Sequence, residues 1–189
     1  ATVGEAAKIT AGALLRGARG NSGVILSLLF RGLSKSVKGL TDMDGAQLAA
    51  AMAEGVTTAY GAVMKPAEGT VLTVSRLAAA RAVEAAQENP SAEYVLEQAI
   101  AAGYETLAQT IDMNPVLKKA GVVDAGGKGY LIILDGMLRA LRGEALPQVE
   151  EDSEKDQDKA DFGALSLEDI TFTYDTVFIV RKRDGVDIG

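Results

Sequence analysis

The sequence predicts an all-α fold, an antiparallel helical bundle built from residues 1–143. Alanine-rich segments in this region place apolar residues three and four positions apart, the spacing that gives a helix one apolar face. Glycine and proline interrupt these segments at intervals that fit helices of ordinary length. The chain has 189 residues, of which 48% are apolar, so it can bury the core of one good-sized domain.

The same pattern places the individual helices. Asp44 and Ser91 are expected to be N-caps, because their side-chain oxygens can accept hydrogen bonds from the free amides of a first helical turn. The main helices are predicted at residues 3–16, 24–37, 45–64, 70–88, 92–111 and 129–141, with a short helix near 115–119.

A change of composition follows the bundle. Residues 144–165 are predicted to be an acidic linker, because Pro147 and seven acidic residues between 149 and 161 leave little apolar surface to offset the entropy of ordering. The β-branched and aromatic residues of 170–180 predict a strand. Since a lone strand leaves its backbone groups unpaired, residues 166–189 are expected to begin a second domain.

The composition also excludes several kinds of site. Cysteine and histidine are both absent, which excludes disulfides, thiolate metal sites and a histidine base from this chain. The net charge is −7, without the basic clusters that a nucleic-acid partner requires. Apolar runs too short for a membrane span, the absence of cysteine and the lack of a signal-peptide pattern together favour a cytoplasmic location.

Three glycine-bearing segments between helices are candidates for a binding site, and the first is 17–23 (GARGNSG). Glycine lets a phosphate approach the backbone, and the next helix adds free N–H groups at the positive end of its dipole. Asn21 and Ser22 would add side-chain donors. A plain helix–helix turn is an equal alternative, since the segment matches neither a Walker loop nor a Rossmann fingerprint.

The other two segments follow the third and fifth main helices. Residues 65–70 are by themselves typical of a connector, in which Pro66 ends one helix and Thr70 begins the next. Residues 121–129 contain four glycines around the single carboxylate of Asp124, which strengthens the case for a functional loop but leaves a structural turn as an equal alternative. Odd-numbered connections of an antiparallel bundle share one end, so the three segments are expected to converge on one pocket.

Together the three segments resemble the nucleotide-binding subunit of bacterial fatty acid kinase, a domain similar to the DhaL domain of dihydroxyacetone kinase. The resemblance covers about residues 2–143. It implies an eight-helix antiparallel barrel with ATP and magnesium in its mouth. The residues that carry it are 17–27 (GARGNSGVILS), 62–74 (AVMKPAEGTVLTV) and 121–129 (GVVDAGGKG).

The resemblance further implies which positions contact the nucleotide. A loop over residues 20–23 would cover the phosphates, and residues 124–126 match a family Asp-Pro-Gly segment in which Ala125 replaces the proline. It assigns no catalytic residue and no metal ligand within this chain. The implied positions are Gly20, Asn21, Ser22, Gly23, Pro66, Glu68, Gly69, Thr70, Asp124, Ala125 and Gly126.

The chain departs from the family at the metal. The family holds magnesium through aspartates in an Asp-Gly-Asp-Thr-Gly-Thr-Asn motif before the first helix, and this sequence contains no such cluster. We therefore expect an N-terminally truncated domain whose magnesium ligands lie outside the chain. Because the metal neutralises charge during phosphoryl transfer, the chain alone is expected to bind ATP weakly and to transfer no phosphate.

Three functions agree with these observations. In the first, the intact protein is an ATP-dependent kinase that phosphorylates a fatty acid presented by a lipid-carrying partner protein, with a homodimer as a further option. The second is a kinase for dihydroxyacetone or another small hydroxy compound, although that chemistry holds its substrate through a histidine on another subunit. The third is a non-catalytic nucleotide-binding adaptor.

Overall fold

The computed structural model describes residues 1–145, and within them the predicted all-α fold is confirmed. The predicted strand at 170–180 and second domain at 166–189 lie outside the described residues, as does the acidic linker apart from its first two positions. The helices are α1 (Val3–Gly17), α2 (Gly20–Ser36), α3 (Gly45–Ala62), α4 (Val71–Glu88), α5 (Ala92–Met113), α6 (Pro115–Ala120) and α7 (Ala125–Leu141).

Side-chain caps fix where these helices begin. The Asp44 carboxylate accepts a hydrogen bond from the Gln47 amide at 2.8 Å, and the Gln47 side chain accepts one from the Asp44 amide at 3.0 Å. Ser91 accepts a hydrogen bond from the Tyr94 amide at 3.5 Å, so both predicted N-caps are confirmed. Thr2 forms a similar reciprocal pair with Glu5 at the start of α1.

Two predicted helix starts are wrong by about one turn. Helix α2 begins at Gly20 instead of residue 24, and α7 begins at Ala125 instead of residue 129. Glycine lowers helix propensity, which makes both segments look like loops in the sequence. A first turn depends less on propensity than on capping and packing, because its amides have no partner inside the helix.

The core lies between antiparallel neighbours in chain order, from α1 to α5, with α7 packed against α5 and α4. Leu72, Val74, Val95 and Leu131 are fully buried in it. In the described part of the chain, α1 contacts α2 but not α7. An apolar cleft of about 500 Å³ lies between α1 and α7. A closed eight-helix barrel therefore stays a prediction.

Candidate functional site

The first turns of α2, α4 and α7 meet at one end of the bundle, which we call the mouth. A Cβ built on Gly126 of α7 would lie 3.4 Å from the Ser22 hydroxyl oxygen of α2 and 3.4 Å from the Val71 Cβ of α4. A Cβ on Gly69, just before α4, would lie 3.0 Å from Asn114 Cβ, where α5 ends. The three glycine-bearing segments thus converge, as the order of the helices predicts.

On the α2 side, the mouth presents a helix start without a side-chain cap. The expected loop over residues 20–23 is wrong, since these residues form the first turn of α2. Gly20 has a φ of 68°, which favours glycine, and this geometry turns the chain into the helix. Asn21 and Ser22 are exposed in this turn, and Gly23 is half-buried against Ala18.

Arg19 supplies positive charge beside this turn. Its guanidinium donates hydrogen bonds to the carbonyl oxygens of Gly17 at 3.4 Å and Ala18 at 3.0 Å, at the C-terminal end of α1. The first turn of α2 contains no acidic side chain. Free amides, two exposed polar side chains and a neighbouring guanidinium together make this the part of the mouth best suited to an anion.

On the α7 side, Asp124 is the N-cap of the helix. Its carboxylate accepts a 2.6 Å hydrogen bond from the Gly127 amide, and its own amide donates to the Thr110 hydroxyl at 3.1 Å. Burial raises the pKa of Asp124, while hydrogen bonding from the backbones of Gly127 and Val71 opposes the shift. Ala125 and Gly126 belong to the first turn of α7, so they lie in a helix instead of the expected loop.

On the α4 side, Thr70 is the N-cap. Its hydroxyl accepts from the Leu72 amide at 3.3 Å and donates to the Ala67 carbonyl at 2.8 Å. Thr73, which is 1% exposed, accepts a hydrogen bond from the Gly69 amide at 2.9 Å. Gly69 is buried with a φ of 73°, so these contacts hold the connection tightly against α4.

The Glu68 side chain is held by two side chains of α4. Its carboxylate accepts hydrogen bonds from the Thr73 hydroxyl at 2.8 Å and from the Arg76 guanidinium at 2.9 Å. Arg76 also donates to the Tyr60 hydroxyl at 3.1 Å. Because Arg76 offsets its charge, Glu68 repels an anion in the mouth less than its sequence position suggests. Pro66 is exposed in the same connection.

Sequence reasoning missed the residues that support the mouth from behind. Thr110 is fully buried and anchors the Asp124 amide, and it lies 14 positions away in the sequence. Thr110 could have been identified from the sequence as a polar residue at a position of α5 that the apolar periodicity predicts to be buried. Thr73 could have been found as a hydroxyl residue three positions after the Thr70 cap.

The described residues do not fit a magnesium ion. Among residues 1–145, no three acidic side chains lie close enough together to hold a metal ion. Glu68 is paired with Arg76, and the Asp124 carboxylate is used by backbone amides. Nor is any helix in this part of the chain sufficiently long and apolar to pass through a membrane.

Comparison with known proteins gives a match to one protein family. The sequence profile of the DAK2 domain matches residues 1–139. Uncharacterized proteins of Staphylococcus aureus strains bovine RF122, USA300 and NCTC 8325 are each 44% identical to this chain over 183 residues. Each match covers 95% of this chain and 33% of the relative, so the chain spans about a third of the length of those proteins.

Proposed function

We propose, from the premise that this chain belongs to the DAK2 domain family, that its helical bundle is the ATP-binding domain of a kinase. The observation that carries the proposal is the convergence of three helix starts on Ser22, Val71 and Gly126. Helix starts offer N–H groups and a positive dipole end, the chemistry that binds a phosphate chain. The DAK2 domain is the nucleotide-binding type of the dihydroxyacetone kinase family, which supports ATP as the ligand.

In this proposal, the first turn of α2 binds the phosphates. The Asn21 and Ser22 side chains lie free to donate from an exposed turn, and Arg19 adds charge beside them. Gly126 leaves room on the opposite side, because it has no side chain to fill the space in front of Ser22. These residues bind and orient ATP, and none of them is assigned a proton-transfer role.

Magnesium belongs to the proposed reaction, where it would neutralise charge on the transferred phosphoryl group. The acidic residues among 1–145 would not hold the ion, because no three of them lie close together. In this proposal, the domain supplies the nucleotide-binding site and positions the phosphates. The cytoplasmic location expected from the sequence is part of the same proposal.

We further propose that the phosphoryl acceptor is a fatty acid presented by a lipid-carrying partner. The γ-phosphoryl group would pass from ATP to a carboxylate oxygen, leaving ADP and an acyl phosphate. The resemblance of residues 17–27, 62–74 and 121–129 to fatty acid kinase supports this acceptor. Incubating a Staphylococcus aureus relative with ATP, magnesium and either a fatty-acid-loaded carrier or dihydroxyacetone tests it. Phosphorylation of dihydroxyacetone alone would contradict the fatty-acid proposal.

Calorimetric titration of ATP into the 189-residue chain, with and without magnesium, tests the binding proposal. The double variant Asn21→Ala/Ser22→Ala should weaken binding by about 2 to 4 kcal/mol, because two hydrogen bonds to charged phosphate are lost. The matched control is Ser36→Ala, which removes an exposed hydroxyl at the opposite end of the same helix. Equal affinity in the double variant and the control would overturn the assignment of the α2 turn.

A further inference from the structure

We infer that Thr110 is a positioning residue for phosphate binding. Its hydroxyl fastens the first turn of α7 to the end of α5 and thereby sets where Gly126 lies opposite Ser22. The inference rests on the proposed function and deepens it. Thr110 is fully buried, so it acts through the backbone that it holds and not by contact with a ligand. It is also not among the positions that the resemblance implies.

The Thr110 hydroxyl makes two hydrogen bonds, and only one of them serves its own helix. It donates to the Leu107 carbonyl at 2.6 Å, three positions earlier in α5, which is a common local contact for a threonine in a helix. It accepts from the Asp124 amide at 3.1 Å, 14 positions away in the sequence. A hydroxyl has a single proton to donate, so with that proton given to Leu107 it can meet Asp124 only as an acceptor.

The Asp124 amide finds no side-chain acceptor within α7. In a capping box, the side chain three positions after the N-cap accepts a hydrogen bond from the N-cap amide. Glu5 occupies this position in α1, and Gln47 occupies it in α3. In α7 the position is Gly127, which has no side chain. Thr110 supplies the missing acceptor, so the start of α7 is capped in part by another helix.

Packing explains why α7 has glycine at this position. A Cβ on Gly127 would lie 2.8 Å from Val74 Cγ2 of α4 and 3.2 Å from Leu107 Cδ1 of α5, so a longer side chain would collide with both helices. The close approach of α7 to α4 and α5 thus removes the local acceptor. Because a partly buried amide without an acceptor is destabilising, the hydroxyl from α5 becomes necessary.

Two sides of the mouth meet at Thr110. Its hydroxyl holds the start of α7, and its carbonyl oxygen would lie 3.0 Å from a Cβ on Gly69, in the connection before α4. Gly126 comes two residues after Asp124 and faces Ser22 of α2. A shift of the Asp124 backbone would therefore move Gly126 relative to Ser22. The space in which phosphate is proposed to bind would change with it.

Three variants of α5 test the inference. Thr110→Val removes the hydroxyl and keeps the shape of the side chain, whereas Thr110→Ser keeps the hydroxyl. The matched control is Thr106→Val, one turn earlier in α5. Thr106 is also buried, and its hydroxyl donates to the Ala102 carbonyl of the same helix. The control therefore loses a buried hydroxyl without losing a contact to α7.

In Thr110→Val, amide hydrogen exchange at Asp124 should become roughly tenfold faster, beyond any acceleration at the core residue Leu131 that reports global stability. The amide resonances of Ser22 and Gly126 should shift. ATP should bind roughly five- to tenfold more weakly at a temperature where every variant is folded. Thr110→Ser should restore all three properties to near their unmodified values, and Thr106→Val should change none of them.

The outcomes distinguish this inference from the function on which it rests. Equal loss of ATP affinity in Thr110→Val and Thr106→Val would reflect general stability and overturn the inference, as would unchanged Ser22 and Gly126 resonances in Thr110→Val. If the unmodified chain binds no ATP while the Ser22 resonance shifts in Thr110→Val and recovers in Thr110→Ser, the anchoring of α7 stands and the ATP proposal falls.

The unmodified chain offers a measurement that needs no variant. Its Asp124 amide should exchange at least roughly tenfold more slowly than an open amide in the same sequence, because Thr110 accepts its hydrogen bond. Exchange at the rate of an open amide would overturn the inference, even if Thr110→Val does not fold.

Discussion

Gly126 of α7 and Ser22 of α2 face each other across the mouth, and a Cβ on Gly126 would lie 3.4 Å from the Ser22 hydroxyl oxygen. That separation is an ordinary van der Waals contact, so the bare backbone leaves a space about one methyl group deep in front of the hydroxyl. The two residues are 104 positions apart, and their approach unites the α2 and α7 starts in one site.

Filling this space should weaken ATP binding. Gly126→Ala places one methyl group 3.4 Å from the Ser22 hydroxyl oxygen and 3.4 Å from Val71 Cβ, and we expect the Kd for ATP to rise about tenfold. Gly129→Ala is the matched control, because a Cβ on Gly129 meets nothing within 4 Å in the same helix. Calorimetric titration of both variants measures the difference. Equal affinities would show that phosphate does not occupy the space in front of Ser22.

The Thr73 hydroxyl should contribute measurably to stability. Thr73→Val leaves the Gly69 amide without its acceptor in a buried position, which costs about 1 to 3 kcal/mol in the free energy of unfolding. Thr106→Val is the control, because the Thr106 hydroxyl donates only to the Ala102 carbonyl of its own helix. Urea unfolding compares them. A smaller loss for Thr73→Val than for Thr106→Val would contradict the role given to this contact.

Helices α2 and α3 cross at a pair of glycines, where a Cβ on Gly32 would lie only 2.7 Å from Gly55 Cα. Gly32→Ala should therefore destabilise the domain by about 1 to 3 kcal/mol, because the backbones must separate. Gly136→Ala should instead stabilise it by about 0.5 to 1 kcal/mol, since nothing lies within 4 Å and alanine favours the helix. Thermal unfolding should give melting temperatures on opposite sides of the unmodified value. Stabilisation by both substitutions would contradict a close crossing.

Acid should weaken the ion pair between Arg81 and Glu88 at the end of α4. The Arg81 guanidinium, followed by the Tyr94 hydroxyl, lowers the pKa of Glu88 from 4.5 to about 2. The folded-state pKa is depressed, so the stabilisation is present above pH 4.5 and is lost as the pH falls toward about 2. Urea unfolding of the unmodified chain and Glu88→Gln between pH 7 and pH 2 should show the difference between them shrinking with acid. A difference that grows on acidification would contradict the depressed pKa.

The sequence predicted the main helices well because their apolar periodicity is local information, and it identified the Asp44 and Ser91 caps for the same reason. It placed the starts of α2 and α7 too late, because Gly20 and Gly126 are poor helix formers that the capped or packed turn nevertheless accepts. The Glu68–Arg76 pair and the contact that joins Thr110 to Asp124 depend on tertiary structure, so a local pattern can mark Thr110 as a buried polar residue but cannot name its partner.

The measurement that tests the ATP-binding proposal most directly is a ¹⁵N–¹H NMR titration of the labelled 189-residue chain with ATP. It detects weak binding, which is what the sequence leads us to expect. The proposal predicts that the amide resonances of Asn21, Ser22 and Gly126 shift together and saturably. Resonances near Gly45, whose amide contacts Pro90 at the opposite end, should stay unchanged. No shift at Ser22 and Gly126, or saturable shifts confined to the Gly45 end, would contradict the proposal.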